Sequence, residues 1–406
     1  IKRHREHGAH NIAVATPGLD QGLAARVVEA VTAAALAADA PMPDFRSKPP
    51  RRRRLSSLTF YGVPQRVDLT RTRAEAAGNA LARELTMLPP NELTPGRYRR
   101  RIAALAREEG WTMRFLDTRA LRRLRAGAFL AVVQGSDTDD AGIVELRYRP
   151  SARRSGNREL CLVGKGLCYD TGGVNLKPAR YMQGMHEDMA GSAVALGTLL
   201  ALTRLRAPFP VRCYLALAQN HIGPRAYKPG DVVTATNGTT IEVVHTDAEG
   251  RMVLADTLAL ASRSDPTLII DYATLTGSCI HALGTVYSGA FTNRDALREN
   301  IIQAGRNSGE RVWPFPFDAD YDQALESRIA DVRQCTLEGE ADHILAARFL
   351  SRFVGDRPWI HIDLAAGSNK GGLAHIPTDT TGFGVRFTLD LLYGQQILER
   401  GGKGIG

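Results

Sequence analysis

The sequence predicts an α/β protein: a mixed, mainly parallel central sheet covered by helices on both faces, preceded by a small α/β N-terminal region. Three observations predict it. From residue 160 onward, short apolar runs alternate with helix-length stretches, the pattern of strands joined through crossover helices. Glycines crowd the connections after those runs, at 164, 166, 172 and 173. The first 71 residues lack this rhythm and are broken by PMPDFRSKPPRRRR at 41–54, a Pro- and Arg-rich loop.

In chain order, 27–38 (VVEAVTAAALAA) reads as a helix and 58–61 (LTFY) as a short strand. A helix from Thr72 to about Met87, stopped by Pro89 and Pro90, reads as a linker over 72–88 between an N-terminal region, 1–71, and a C-terminal domain, 89–406. Thr94-Pro95 supplies an N-cap followed by proline at the first helical position, opening a basic amphipathic helix that ends near Gly110. Strands follow at 112–116 and at 143–149, the second by its alternation. Then come a buried strand at 160–164, a small-residue helix at 191–205, a strand at 211–218, a buried helix at 252–261, strands at 268–273 and 359–363, and a last helix at 386–400. No internal repeat is present.

Of the 406 residues, 44% are hydrophobic and 23% charged, the balance of an ordinary soluble globular protein. No apolar run approaches the ~20 residues of a membrane helix. The opening IKRHREH is basic without the apolar stretch of a signal peptide. Five scattered cysteines without a CxxC pair argue against a disulfide framework or a structural zinc, and fit a reducing, cytoplasmic compartment. The net charge of +9 is concentrated in Arg46, Lys48, Arg51–Arg54, Arg97, Arg99–Arg101, Arg122, Arg123, Arg125, Arg153 and Arg154. Two readings stand: a solvated basic surface, or an electrostatic nucleic-acid footprint. No helix-turn-helix, zinc-finger or RNP-type motif accompanies the charge.

Chemistry gathers in three segments. In His245-Thr246-Asp247-Ala248-Glu249-Gly250-Arg251, charges at alternate positions would share one side of an extended segment. Two adjacent carboxylates repel unless a cation lies between them; a salt-bridged surface turn is the other reading of this stretch alone. The glycine-rich stretch 164–178 carries Lys165, Asp170 and Lys177 on what reads as a constrained loop. It is not a phosphate-binding loop, because GxxxxGK[ST] is absent. At 185–191, MHEDMAG puts acids at the start of a helix, which helix capping would also explain. There is no HExxH, and the ten histidines are dispersed. Asp170, Asp188, Asp247 and Glu249 are hard oxygen donors, suited to a pair of divalent ions with bridging carboxylates.

The blocks VGKGLCYDTGGVNLKP (163–178), MHEDMAG (185–191) and HTDAEGRMVLAD (245–256) resemble, in order, the signature blocks of the M17 leucyl aminopeptidase family. LPPNELTP (88–95), YKPGDVV (227–233), YATLTGS (272–278) and TGFGVR (381–386) support the likeness, which covers roughly residues 72–400. The resemblance implies a metal-dependent aminopeptidase that releases leucine-like apolar N-terminal residues from peptides. It implies one ion on Lys165, Asp170, Asp188 and Glu249. A second would sit on Asp170, Asp247 and Glu249, aided by the Asp247 backbone carbonyl. Zinc, manganese and magnesium are the candidate metals. Lys177 would polarise the scissile carbonyl, Arg251 would anchor a bicarbonate, and Met185, Thr274 and Gly277 would line the pocket for the first side chain. A cytoplasmic homohexamer is implied, with an N-terminal domain truncated or divergent here. The family usually carries Asn where His245 stands and commonly Lys where His186 stands.

Overall fold

The computed structural model describes residue 1 and residues 10–49, 54–63, 66–150 and 158–400. The basic opening over 2–7 and the arginines at 51–53, 153 and 154 lie outside the described residues.

The N-terminal region is a βαβ unit. Strands β1 (Asn11–Ala15) and β2 (Ser57–Tyr61) pair in parallel, from Asn11↔Ser57 to Ala15↔Tyr61. Helix α1 (Gln21–Asp39) joins them, and the Asp20 carboxylate accepts its Leu23 N–H at 3.0 Å, an N-cap. Sequence pattern anticipates β2 and most of α1 but not β1, whose apolar NIAVA hides the half-exposed alternation of an edge. Among the described helices, α1 alone has the length and hydropathy to cross a membrane. It carries Arg26 and Glu29 mid-helix and buries Ala24, Val28, Ala33, Ala35 and Ala37.

Next come α2 (Thr70–Thr86) and α3 (Pro95–Glu109), the latter capped by the Thr94 hydroxyl and closed by Gly110 at φ +73°. Strand β3 (Thr112–Asp117), helices α4 (Thr118–Arg123) and α5 (Gly127–Val133), and strands β4 (Gly142–Tyr148) and β5 (Leu160–Asp170) follow. Then come α6 (Ala190–Arg204), β6 (Val211–Asn220), β7 (Val232–Thr234), β8 (Thr240–Glu242), α7 (Glu249–Ser262) and β9 (Leu268–Ala273). The chain goes on through α8 (Gly277–Leu283), β10 (Ser288–Thr292), α9 (Arg298–Ser308), β11 (Val312–Pro314) and β12 (Val332–Arg333). It closes with α10 (Asp342–Ser351), β13 (Trp359–Asp363) and α11 (Val385–Leu389).

Eight strands form the main sheet in the order β11-β10-β13-β9-β5-β6-β4-β3. Its centre, β13-β9-β5-β6, is parallel, and β10–β13, β6–β4 and β4–β3 are antiparallel. Side chains alternate across it as the pleat requires. Leu160, Leu162, Leu268, Ile270 and Tyr272 pack with α2, α3, α6 and α9, whereas Cys161, Val163, Ile269 and Ala273 pack with α5, α7 and α10. Each fully buried leucine or isoleucine stabilises the fold by roughly 2 kcal/mol. Strand β4 is buried on both faces near its start rather than alternating, because it lies between β6 and β3 under helices. Helix α2 crosses α6 backbone to backbone, since a Cβ on Gly78 would collide with the Gly197 carbonyl.

The expected last helix over 386–400 is instead α11, a π-helical turn Asp390–Gly394 and a separate turn Ile397–Arg400. The ladder slips at Asp390, whose carboxylate is tied to Arg71 at 3.3 Å and Asn307 at 3.1 Å. Buried Glu310 holds the start of α11: its Oε2 accepts the Gly384 and Phe387 N–H groups at 2.9 and 2.8 Å. Burial pushes this carboxyl up to about 7, above its unfolded value, so the stability Glu310 contributes is lost as pH rises from about 4.5 through about 7. Glu310→Gln keeps the accepting oxygen without the charge. Its unfolding midpoint should match wild type near pH 5 and exceed it at pH 8, by something of the order of 2 kcal/mol in denaturant melts. Equal pH slopes in the two proteins would refute this.

Candidate metal centre

Strand β5 does not stop at Gly164 but runs on to Asp170, with a register shift against β6 between Leu167 and Asp170. Lys165 and Asp170 are therefore strand residues, not loop residues. Gly164 is there for packing, because a Cβ on it would strike the backbone of Gly191 and Ser192 at the start of α6. The true turn comes later, at Gly172 and Gly173, with φ of +87° and +67°. A Cβ on Gly172 would also stand 3.0 Å from Asp247 Oδ1. The turn delivers Lys177, whose N–H donates to the Thr171 carbonyl at 2.9 Å. Asp188 comes from the 3₁₀ turn Met185–Met189 leading into α6, Asp247 from the loop before α7, and Glu249 from the first residue of α7. The site thus lies outside the carboxyl end of a central parallel strand, where open α/β sheets place ligands.

These side chains meet. Lys165 Nζ lies 2.7 Å from Asp188 Oδ1 and 3.1 Å from Glu249 Oε1, and donates to the Thr274 carbonyl at 2.9 Å. Lys177 Nζ is 2.9 Å from Asp170 Oδ2 and pairs with the Asp247 carboxylate. One oxygen each from Asp170, Asp247 and Glu249 lies within 4.8 Å of the others. Asp170 Oδ1 accepts the Gly172 N–H at 2.9 Å and the Asn220 amide at 2.8 Å. Asn220 and the Tyr227 hydroxyl also bond the Thr246 carbonyl, at 3.0 and 2.7 Å, which fixes the residue before Asp247. Sequence reading misses Asn220, Tyr227 and Thr246, which carry no charge signal. Thr274 donates its hydroxyl to Asp188 Oδ1 at 2.7 Å, on the turn that Met185 opens. Gly277 begins α8 and is exposed, with open space where a Cβ would be.

Four carboxylates against two ammonium groups leave excess negative charge in a mostly buried place. Burial pushes Asp188 up to about 6 and Glu249 up to about 8, Lys165 opposing both and Asp170 adding to both. Burial and then Asp170 raise Asp247. Burial works against the charged forms of Lys165 and Lys177, but the surrounding carboxylates outweigh it and hold both above the usual lysine range. Asp188 Oδ2 and Glu249 Oε2 are buried without a hydrogen-bond partner. Oxygen donors in excess of protons and cations, two of them orphaned, fit divalent ions.

Positions 247, 249 and 251 do not share one extended edge, because the helix begins at Glu249. Arg251 turns away to donate to Asp342 Oδ1 at 2.7 Å and to the Gln334 carbonyl at 3.1 Å. Its guanidinium therefore faces the Asp342 carboxylate. His245 Nδ1 accepts the Asp247 N–H at 3.3 Å; burial, then Lys177, hold its pKa below the usual histidine value. His186 is half-buried beside Glu187. Of the basic clusters, Arg97 and Arg101 pair with Glu92 and Glu84, while Arg122, Arg123 and Arg125 are exposed on and just after α4.

A family model described as the catalytic domain of the cytosol aminopeptidase family matches residues 80–389. The chain is 40% identical over 400 residues to a probable cytosol aminopeptidase of Roseiflexus castenholzii, covering 96% of this chain and 81% of that one. It is 44% identical over 335 residues to one from Syntrophotalea carbinolica, covering 82% and 66%. Among solved structures it is similar to the bottromycin maturation enzyme BotP in complex with Mn (TM-score 0.86, 35% identity, 95% and 84% covered). It is also similar to a mutant of tomato leucine aminopeptidase (TM-score 0.87, 31% identity, 96% and 76% covered).

Proposed function

The chain belongs to the cytosol aminopeptidase family, and from that membership we propose that it is a metal-dependent aminopeptidase releasing leucine-like residues from the N-termini of peptides. The observation that carries the reading is the set of buried Asp170, Asp188 and Glu249 with half-buried Asp247, crowded against two lysines and with two carboxylate oxygens unpartnered. In this proposal Lys165, Asp170, Asp188 and Glu249 hold one ion, and Asp170, Glu249 and Asp247, with its backbone carbonyl, hold the other. Zinc and manganese are the leading metals and magnesium a third; a Mn complex of the similar enzyme BotP supports manganese. When bound, such ions supply Lewis acidity that polarises a carbonyl and lowers the pKa of water toward neutrality.

The chain's own residues do the rest. Lys165 must give up its proton and its contacts with Asp188 and Glu249 to serve as a neutral donor, which a nearby dication favours. Lys177 keeps its charge and faces the centre from a loop, placed to stabilise negative charge growing on the carbonyl oxygen. Thr274, Gly277 and Met185 bound the pocket for the first side chain, with room at Gly277 for an apolar group. The names of the relatives support a cytosolic setting, and homo-oligomeric assembly, a hexamer by resemblance, belongs to the same proposal.

The test is release of leucine from a chromogenic leucine amide. Activity should vanish on chelation and return with manganese or zinc, with up to two ions bound per chain. Intact, metal-replete protein that leaves every N-terminal residue in place would sink the proposal.

A further inference from the structure

We infer that the anion beside Arg251 is the carboxylate of Asp342, supplied by the chain itself, so that the centre neither binds nor needs bicarbonate. The inference rests on the aminopeptidase reading above and concerns which anion serves that site. The Arg251 side chain is only 3% exposed, and a guanidinium so deeply buried requires a partner anion. Its Nη2 lies 2.7 Å from Asp342 Oδ1, and its Nη1 donates to the Gln334 carbonyl at 3.1 Å. Gln334 is itself locked: its Oε1 accepts the Val244 and His245 N–H groups, each at 3.1 Å, and its Nε2 donates to the Ala248 carbonyl at 3.0 Å. The frame around the guanidinium is therefore built from the loop that carries Asp247.

The approach of Asp342 is imposed rather than incidental. The chain enters α10 through Ala341, a non-glycine residue held at φ +50°, and Asp342 follows as the first residue of the helix. A carboxylate in the first turn is also favoured by the helix dipole. His343 anchors the same turn, its N–H donating to Ser278 Oγ at 2.9 Å and its Nδ1 lying 3.1 Å from that oxygen, next to Gly277. The Asp342 side chain remains 26% exposed, so solvent anions can reach the spot. A tethered carboxylate nonetheless competes at an effective concentration that free bicarbonate does not match, and a second anion there would meet like-charge repulsion.

Metal-loaded wild type and Asp342→Ala are compared in carbonate-stripped buffer and in buffers with bicarbonate or formate. The direct readout is the ¹³C linewidth of labelled bicarbonate. Wild type should leave the line unbroadened and keep its activity within about twofold across buffers. Asp342→Ala should broaden the line, lose about tenfold or more in kcat without carbonate, and regain activity with bicarbonate or formate. Asp342→Asn, closer in shape, gives the same comparison if the alanine variant does not fold. Bicarbonate binding to wild type with a gain in activity overturns the inference. So does a variant that binds no bicarbonate or that no small carboxylate rescues, since that would mark a purely structural role. A wild type inactive in every buffer refutes the aminopeptidase reading instead, and the linewidths still report on the anion site.

Discussion

Lys177→Ala is expected to lower kcat on a leucine amide by about 10³-fold while metal content stays at the wild-type level. The ammonium lies 2.9 Å from Asp170 and pairs with Asp247, yet it is outside the proposed ligand set. Its side chain is largely buried, where a fixed positive charge stabilises a developing oxyanion far more than it would in water. If Lys177 served only to neutralise the acids, its loss would tighten metal binding and leave kcat within about tenfold of wild type. Metal analysis alongside kinetics separates the two. Lys177→Arg should not restore the rate, because a planar guanidinium fork cannot occupy the same point.

The chemistry of the centre was legible because it resides in charges: two lysines and four carboxylates stand in three short blocks whose order is itself informative. Their geometry was not. The glycines at 164 and 166 suggest a loop, whereas Gly164 is required because α6 crosses β5 too closely for a Cβ. The alternation of Asp247, Glu249 and Arg251 suggests an extended edge, whereas the helix starts at Glu249 and carries Arg251 toward Asp342. Asn220, Tyr227, Gln334 and Asp342 come from distant stretches, and only tertiary structure assigns them to their partners.

The fold divides the same way. Strands β9 and β13 are fully buried, mostly apolar runs interrupted by Asp271, His361 and Asp363, and their limits follow from the sequence. Strands β7, β8, β11 and β12 are two or three residues long and exist because a neighbour pairs with them, which no local pattern records. At the slip, Asp390 accepts a hydrogen bond from Arg71, more than 300 positions away, a contact no local pattern records.

Asp170→Ala is expected to remove one bound ion and to reduce activity by at least about 10³-fold, because Asp170 is one of the two carboxylates proposed to serve both ions. The substitution also has a structural cost that must be separated from the catalytic one. Asp170 Oδ1 is the acceptor for the Gly172 N–H and the Asn220 amide, and a buried donor left unpaired costs about 1–3 kcal/mol. Relief of the carboxylate crowding around Glu249 offsets part of that cost. Asp170→Asn distinguishes the contributions, since its amide oxygen can still accept both hydrogen bonds but offers no negative charge to a metal. Both variants should lose an ion and the activity, whereas only the alanine variant should unfold at distinctly lower denaturant concentration. An asparagine variant that kept two ions and turned over normally would remove Asp170 from the centre. The site would then have to be rebuilt around Glu249 and Asp247, which pair with Lys165 and Lys177 respectively.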